Sequence, residues 1–364
     1  MEGRPLLGAH INLTEKCNLH CKYCFVEHNP ATMNMSMLQA AIDWLLAHAA
    51  KQFHLTWFGG EPLLQPDLMF CGANYLTHRG NELGIHTSAG VVTNGTLLTP
   101  AIIERLYETG HNMLFSYDGR HTQPVMRGGD VVQLESSLRQ CLDAGIRTTV
   151  AMQVSAGYTD RLLEDYMAIR EIGAQRIALN PVVHCYNSFT DTDWAYAKAA
   201  LLDIADYEFE HMMSGAECGY TQMANQLGGI LQVARGSDIK VRRTDYTCGA
   251  CKGSLAIDAA GNIMPCQQMT CAGIWERWKL GNVVTGEYDP EKRERFVTDG
   301  MRAWADCSEC AVIRCAPCRT VNYAKSQNEL ERAPDMCRWQ RTLFTAAIKL
   351  HNRLADSGYY DRPR

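Results

Sequence analysis

Between residues 9 and 179 the chain alternates short β-branched or aromatic runs with longer amphipathic stretches, and Gly, Pro or Asn closes many of them. Residues 9–14, 53–58, 86–93, 112–117, 147–154 and 176–179 read as strands, and 37–50, 66–83, 100–109, 131–144 and 161–172 as helices. Strands alternating with helices at this pitch predict parallel βα units. Six strands fall short of the eight that close a barrel, so the expected fold class is α/β, an open, partial (β/α)6 barrel. Such folds bind their ligands at the carboxyl ends of the strands.

Beyond residue 181 the pattern changes. Residues 194–213 and 223–233 read as helices, 248–337 as a loop-rich stretch with nine cysteines in 90 residues, and 339–354 as a last helix. The expected domains are 1–185 for the barrel, 186–245 for a helical linker, 246–340 for a cysteine-rich domain and 341–364 for a C-terminal helix and tail. Of the 364 residues 46% are hydrophobic, enough for a sizeable core. The net charge of −5 comes from 35 basic and 40 acidic side chains with no long run of one sign, which gives no electrostatic case for nucleic acid or an anionic membrane. Neither a signal-peptide pattern nor a bilayer-length apolar run is present, so a soluble cytoplasmic protein is expected. In such a chain 16 cysteines point to metal or cluster ligation rather than to disulfides.

Cys17, Cys21 and Cys24 form C-x3-C-x2-C directly after the first strand. Three thiolates on a cubane cluster leave one iron open to a ligand; a zinc site or three packed thiols are the plainer alternatives. The second strand runs into Gly59-Gly60-Glu61-Pro62, where glycines permit close approach and strand-end carbonyls can accept from an ammonium.

With these two motifs one βα unit apart, the chain resembles the radical S-adenosylmethionine (AdoMet) superfamily. The resemblance implies a 4Fe–4S cluster on Cys17, Cys21 and Cys24, adenine contact by the backbone of Tyr23, and the methionine amino group on Gly59, Gly60, Glu61 and Pro62. Thr93-Asn94-Gly95-Thr96 and Ser116-Tyr117-Asp118-Gly119 resemble segments of the peptide-modifying branch. Asn94, Ser116, Asp118 and, at the end of the fifth strand, Gln153 are accordingly expected at the AdoMet rim, although Asn and Asp before Gly also serve as plain turn formers.

Cys251, Gly261 and Cys266 fit the C-x9–15-G-x4-C opening of the SPASM auxiliary-cluster domain. Cys307, Cys310, Cys315 and Cys318 follow with C-x2-C-x4-C-x2-C, each of the last two gaps one residue shorter than in the family, and Cys337 closes the set. The resemblance places auxiliary cluster I on Cys248, Cys251, Cys266 and Cys318 and auxiliary cluster II on Cys307, Cys310, Cys315 and Cys337. Zinc remains the alternative for paired C-x2-C. Cys71 and Cys141 read as small core residues; Cys185, Cys218 and Cys271 receive no role.

The resemblance thus implies three 4Fe–4S clusters, AdoMet, a flavodoxin- or ferredoxin-like electron donor, and a ribosomally made peptide or protein whose side chain is cross-linked or desaturated. Gln267 and Gln268 follow Cys266 where sulfatase-maturing relatives carry an aspartate, which argues against formylglycine formation. The first strand begins near residue 9, so no leader-binding domain is expected in front, and leader recognition falls to a separate protein or to the catalytic domain. No catalytic acid or base is assigned. A small-molecule radical dehydrogenase, a formylglycine-forming enzyme and an electron carrier stay open.

Overall fold

The computed structural model describes residues 4–183, 188–235, 248–270, 276–304, 307, 309–315 and 317–361, so Cys185 and Cys271 lie outside the described residues. Among these the strands are β1 (Leu6–Thr14), β2 (Ala49–Gly59), β3 (His86–Thr93), β4 (Asn112–Ser116), β5 (Thr148–Val154), β6 (Ile177–Pro181), β7 (Ser254–Ile257), β8 (Asn262–Met264), β9 (Gly281–Asn282) and β10 (Glu287–Tyr288). Two compact units form, one from Met1–Ser116, Val132–Thr148 and Cys248–Gly300, the other from Tyr117–Val131, Thr149–Thr247 and Met301–Arg364.

In the first unit the strand order is β10-β9-β8-β7-β1-β2-β3-β4. β1 lies parallel between β2 and β7, with Ile11 opposite both Trp57 and Ile257. A strand paired on both edges and covered by helices is apolar along most of its length, and Ile11 and Leu13 are fully buried. On β2 the buried Phe53, Leu55 and Trp57 alternate with half-buried His54, Thr56 and Phe58. The buried side meets the helices: a side chain at Gly72, in the helix Pro66–Leu83, would lie 2.7 Å from Leu38 and 3.0 Å from Trp57. The other side carries His54, Thr56 and Phe58, each half-buried.

Local chemistry sets the helix ends. Asn34 accepts the Met37 N–H at the start of Met35–Ala47, and Thr99 accepts that of Ile102 ahead of Pro100–Glu108. Pro66 opens its helix and Gly84, at φ +65°, closes it. The first helix stops at Ala47 rather than at residue 50 because Leu6 N–H bonds the His48 carbonyl and Leu6 pairs with Ala49, so tertiary pairing draws a good helix former into β2.

The second unit pairs β5 with β6 in parallel, Val150 opposite Ile177. Its long helices are Asp191–Met213, started by a Thr190–Asp193 capping box, and Pro334–Asp356. Lys349 and Arg353 of the second reach Asp206 of the first at 2.6 and 2.7 Å.

Two sequence readings need correction. Residues 248–337 are more regular than expected, with β7 extending the parallel sheet beside β1 and helices at Pro290–Ala303 and Arg319–Ser326. A run as short as Ser254–Ile257 has too little periodicity to be seen in sequence and is held as a strand by its pairing with β1. Cys71 is exposed, on the side of its helix away from Met69, Ala73 and Leu76, whereas Cys141 is fully buried as a core thiol.

Candidate active site and cysteine sets

The three N-terminal cysteines lie on the loop that leaves β1, and the loop is seated on the end of β2. Gly60 N–H donates to the Thr14 carbonyl at 2.9 Å and Glu61 N–H to the Lys16 carbonyl at 2.8 Å. A side chain at Gly60 would lie 2.1 Å from Lys16 O, and one at Gly59, whose φ is +136°, 2.2 Å from Thr14 O. Both glycines of the motif are therefore required by contact with backbone, which cannot yield.

Glu61 is 1% exposed, and its carboxylate accepts the Leu63 N–H at 3.0 Å, the Thr93 hydroxyl at 2.8 Å and the Asn94 N–H at 2.8 Å. Asn94, placed by that bond, gives its side-chain N–H to Asn18 Oδ1 at 2.9 Å and faces Cys17 Sγ at 3.8 Å. The Leu19 N–H faces the same sulfur at 3.4 Å, and His28 Nε2 stands 3.7 Å from Cys24 Sγ. N–H groups directed at cysteine sulfurs are what thiolates bound to a cluster accept, so this loop fits the group its spacing implies. Burial pushes the Cys17 thiol up, with the Glu61 carboxylate and the Cys24 thiol adding to it and the Leu19 and Asn94 N–H groups opposing. Tyr23 is buried beside these cysteines, and Ser116 ends β4, also buried.

The first unit also ties its C-terminal segment to this loop. Asn12 donates to Glu15 at 3.0 Å and to Thr270 at 3.0 Å, and Ala259 N–H reaches Glu15 at 3.3 Å. Burial pushes the Glu15 carboxyl up. Gly261, at φ +82°, turns β7 into β8, and Asp258 holds the turn by accepting the Ala260 and Asn262 N–H groups, each at 2.9 Å. That accounts for the glycine between Cys251 and Cys266. Cys251 is fully buried at φ +61°, a left-handed conformation rarely taken by a residue other than Gly, Asn or Asp. Cys248 and Cys266 in the same unit are half-buried.

In the second unit Asp118 is fully buried, and its carboxylate accepts the Gln153 N–H at 2.9 Å and Arg127 at 3.1 Å. Asp118 and Gln153 thus meet through backbone and carboxylate. Cys310 N–H bonds the Cys307 carbonyl at 3.1 Å, Arg332 donates to Cys307 Sγ at 3.3 Å, and Cys337 interacts with Cys307 and Cys310. Cys315 and Cys318 are half-buried in this unit, Cys318 as N-cap residue of Arg319–Ser326. Cys318 and its expected partners Cys248, Cys251 and Cys266 therefore belong to different units. Among the described residues no three His, Cys, Asp or Glu side chains are gathered as for a single metal ion. Glu15, Asn12, His28, Arg127 and Arg332 escape sequence reading because none belongs to a spaced motif; only their folded contacts reveal them.

Residues 11–168 match the model of the radical SAM superfamily. This part of the chain is a radical SAM domain. A radical SAM domain implies a 4Fe–4S cluster and AdoMet. An uncharacterized protein of Methanocaldococcus jannaschii is 30% identical over 118 residues, 32% of this chain and 40% of that protein, so this chain spans less than half of that relative. The PqqA peptide cyclase of Granulibacter bethesdensis is 23% identical over 301 residues, 78% of this chain and 74% of the cyclase. The structure of anSMEcpe with bound AdoMet and a Cp18Cys peptide superposes with a TM-score of 0.77 at 19% identity, covering 97% of this chain and 100% of that one, which shows a shared fold. No helix among the described residues is long and apolar enough to cross a membrane.

Proposed function

We propose that the protein is a radical AdoMet enzyme that oxidises a side chain of a ribosomally made peptide or protein, leaving a cross-link or a new unsaturation. The observation that carries this reading is the seating of the Cys17–Cys24 loop on Gly59-Gly60-Glu61, with N–H groups of Leu19 and Asn94 directed at Cys17. We place one cluster on Cys17, Cys21 and Cys24 and two more on the C-terminal set: Cys248, Cys251, Cys266 and Cys318 for one, Cys307, Cys310, Cys315 and Cys337 for the other. AdoMet would rest against the backbone of Tyr23 and of Gly59–Pro62, with Asn94, Ser116, Asp118 and Gln153 around it. When bound, these groups supply one-electron chemistry: reductive cleavage of AdoMet, hydrogen-atom abstraction from the substrate and uptake of the electron that the substrate then releases.

The chain's own part is positional. Glu61 fixes the ends of β2 and β3 to each other, and Asn94 carries that fixation to the cysteine loop. Asp118, paired with Arg127, anchors the backbone at Gln153, so its carboxylate acts as a strut rather than as a base. Likeness to a peptide cyclase over 78% of the chain, and to a fold seen with a bound peptide, supports a peptide substrate. A flavodoxin- or ferredoxin-like protein would supply the electron, and a separate protein or the catalytic domain would read any leader. The test is mass spectrometry of a short peptide encoded beside the gene, after anaerobic incubation with AdoMet and reductant. Loss of two hydrogens, with one 5′-deoxyadenosine formed per turnover, is expected. A mass-neutral product or a methyl gain contradicts the oxidative reading.

A further inference from the structure

We propose that the guanidinium of Arg332, supported by Arg341, raises the reduction potential of the iron–sulfur cluster that Cys307, Cys310 and Cys337 would hold. This rests on the reading that these cysteines bind a cluster. Arg332 donates to Cys307 Sγ at 3.3 Å and is half-buried. Burial pushes the Cys337 thiol up, and Arg332, Cys307, Arg341 and Cys310 all act on it electrostatically. Cys337 and Arg341 are four residues apart in the helix Pro334–Asp356 and so share a face. Cys337 also falls in the first turn of that 23-residue helix, where the helix dipole adds positive potential.

A guanidinium keeps its charge at any working pH. A cubane held by four thiolates is an anion, and each electron it accepts adds negative charge. A fixed cation and an N–H donor at a ligand sulfur therefore stabilise the reduced form more than the oxidised form, which raises the potential. Arg332 should dominate, since it touches a ligand sulfur and is partly withdrawn from water, whereas Arg341 is exposed and screened. The surroundings of Cys17 differ in sign: its N–H neighbours are the neutral groups of Leu19 and Asn94, and the Glu61 carboxylate lies close enough to act on it.

The experiment is an EPR-monitored redox titration of the full chain, reconstituted anaerobically, with Cys17, Cys21 and Cys24 replaced by Ala so that only the C-terminal clusters report. Arg332→Gln should move one reduction step to lower potential and leave the other in place. Arg341→Gln should move the same step by less, and Arg332→Lys should keep most of the wild-type value. With full iron content, steps that stay unmoved in Arg332→Gln, or that move together, overturn the proposal. If Arg332→Gln sheds iron, Arg332→Lys and Arg341→Gln decide, and an unmoved step in both overturns it. Iron that does not fall when Cys307 and Cys310 are both replaced by Ala overturns the cluster reading and the proposal with it.

Discussion

The buried carboxylate of Glu61 takes the backbone N–H of Asn94 at 2.8 Å, so one side chain fastens the end of β2 to the end of β3 directly behind the cysteine loop. The same carboxylate holds the Thr93 hydroxyl and the Leu63 N–H. Glu61→Gln leaves an amide N–H facing at least one of these donors inside the core. A buried donor without an acceptor costs about 1–3 kcal/mol, and the charge-assisted character of the remaining bonds is lost as well. The variant should unfold several degrees earlier in calorimetry and release iron from the N-terminal set first. Wild-type stability and iron retention would remove Glu61 from the account.

Gly60→Ala should be far more severe than Gly84→Ala. A Cβ at residue 60 meets Lys16 O at 2.1 Å, whereas one at residue 84 meets nothing within 4 Å and carries only the strain of φ +65°. The first should displace the cysteine loop and lower reconstituted iron by about one cluster's four atoms. The second should cost about 1 kcal/mol with iron unchanged. Iron assay and thermal unfolding of the two variants check this.

Stability should fall as pH drops from about 6.5 to about 4. Burial, with His54 adding to it, lowers both His111 and His10 to about 4. Trp57 Nε1 donates to His111 Nε2 at 3.0 Å, so a proton on that nitrogen would set two N–H groups against each other. Because the folded value lies below the unfolded one, the unfolded chain binds the extra proton throughout this window. The stabilisation is present in full above pH 6.5 and is lost towards pH 4, at most about 3 kcal/mol for His111. Urea midpoints between pH 8 and 5.5 should show the decline, and His111→Gln should flatten it.

The parts that sequence made legible are local. Pro66 and Gly84 mark their helix to the residue, and Gly59, Gly60 and Gly261 announce positions that a side chain cannot occupy or whose φ favours glycine. What sequence hid is long-range. Asn12 and Thr270 bond across 258 positions, and nothing near either announces the other. β7 is four residues long and owes its place to β1, and Ala49 enters β2 against its own helix preference. Asn94 and Asp118 illustrate the middle ground. Both precede glycines in turns, as their residue types suggest, but only their partners Cys17, Asn18 and Arg127 give them a part in the site.

Anaerobically reconstituted wild-type protein should hold about twelve irons, and the triple variant lacking Cys17, Cys21 and Cys24 about eight. Metal analysis that finds zinc and the iron of a single cluster would leave only the N-terminal cluster standing.

The most direct measurement is 5′-deoxyadenosine formation from AdoMet and a low-potential reductant by the reconstituted wild-type, Cys24→Ala and Cys141→Ala proteins. Cys141 is fully buried on a helix, and burial pushes its thiol up to about 12, so it should serve as a packing group only. Wild type and Cys141→Ala should cleave AdoMet, and Cys24→Ala, deprived of a ligand to the N-terminal cluster, should not. A folded, fully iron-loaded wild type that forms no 5′-deoxyadenosine, or equal cleavage by Cys24→Ala, would contradict the assignment.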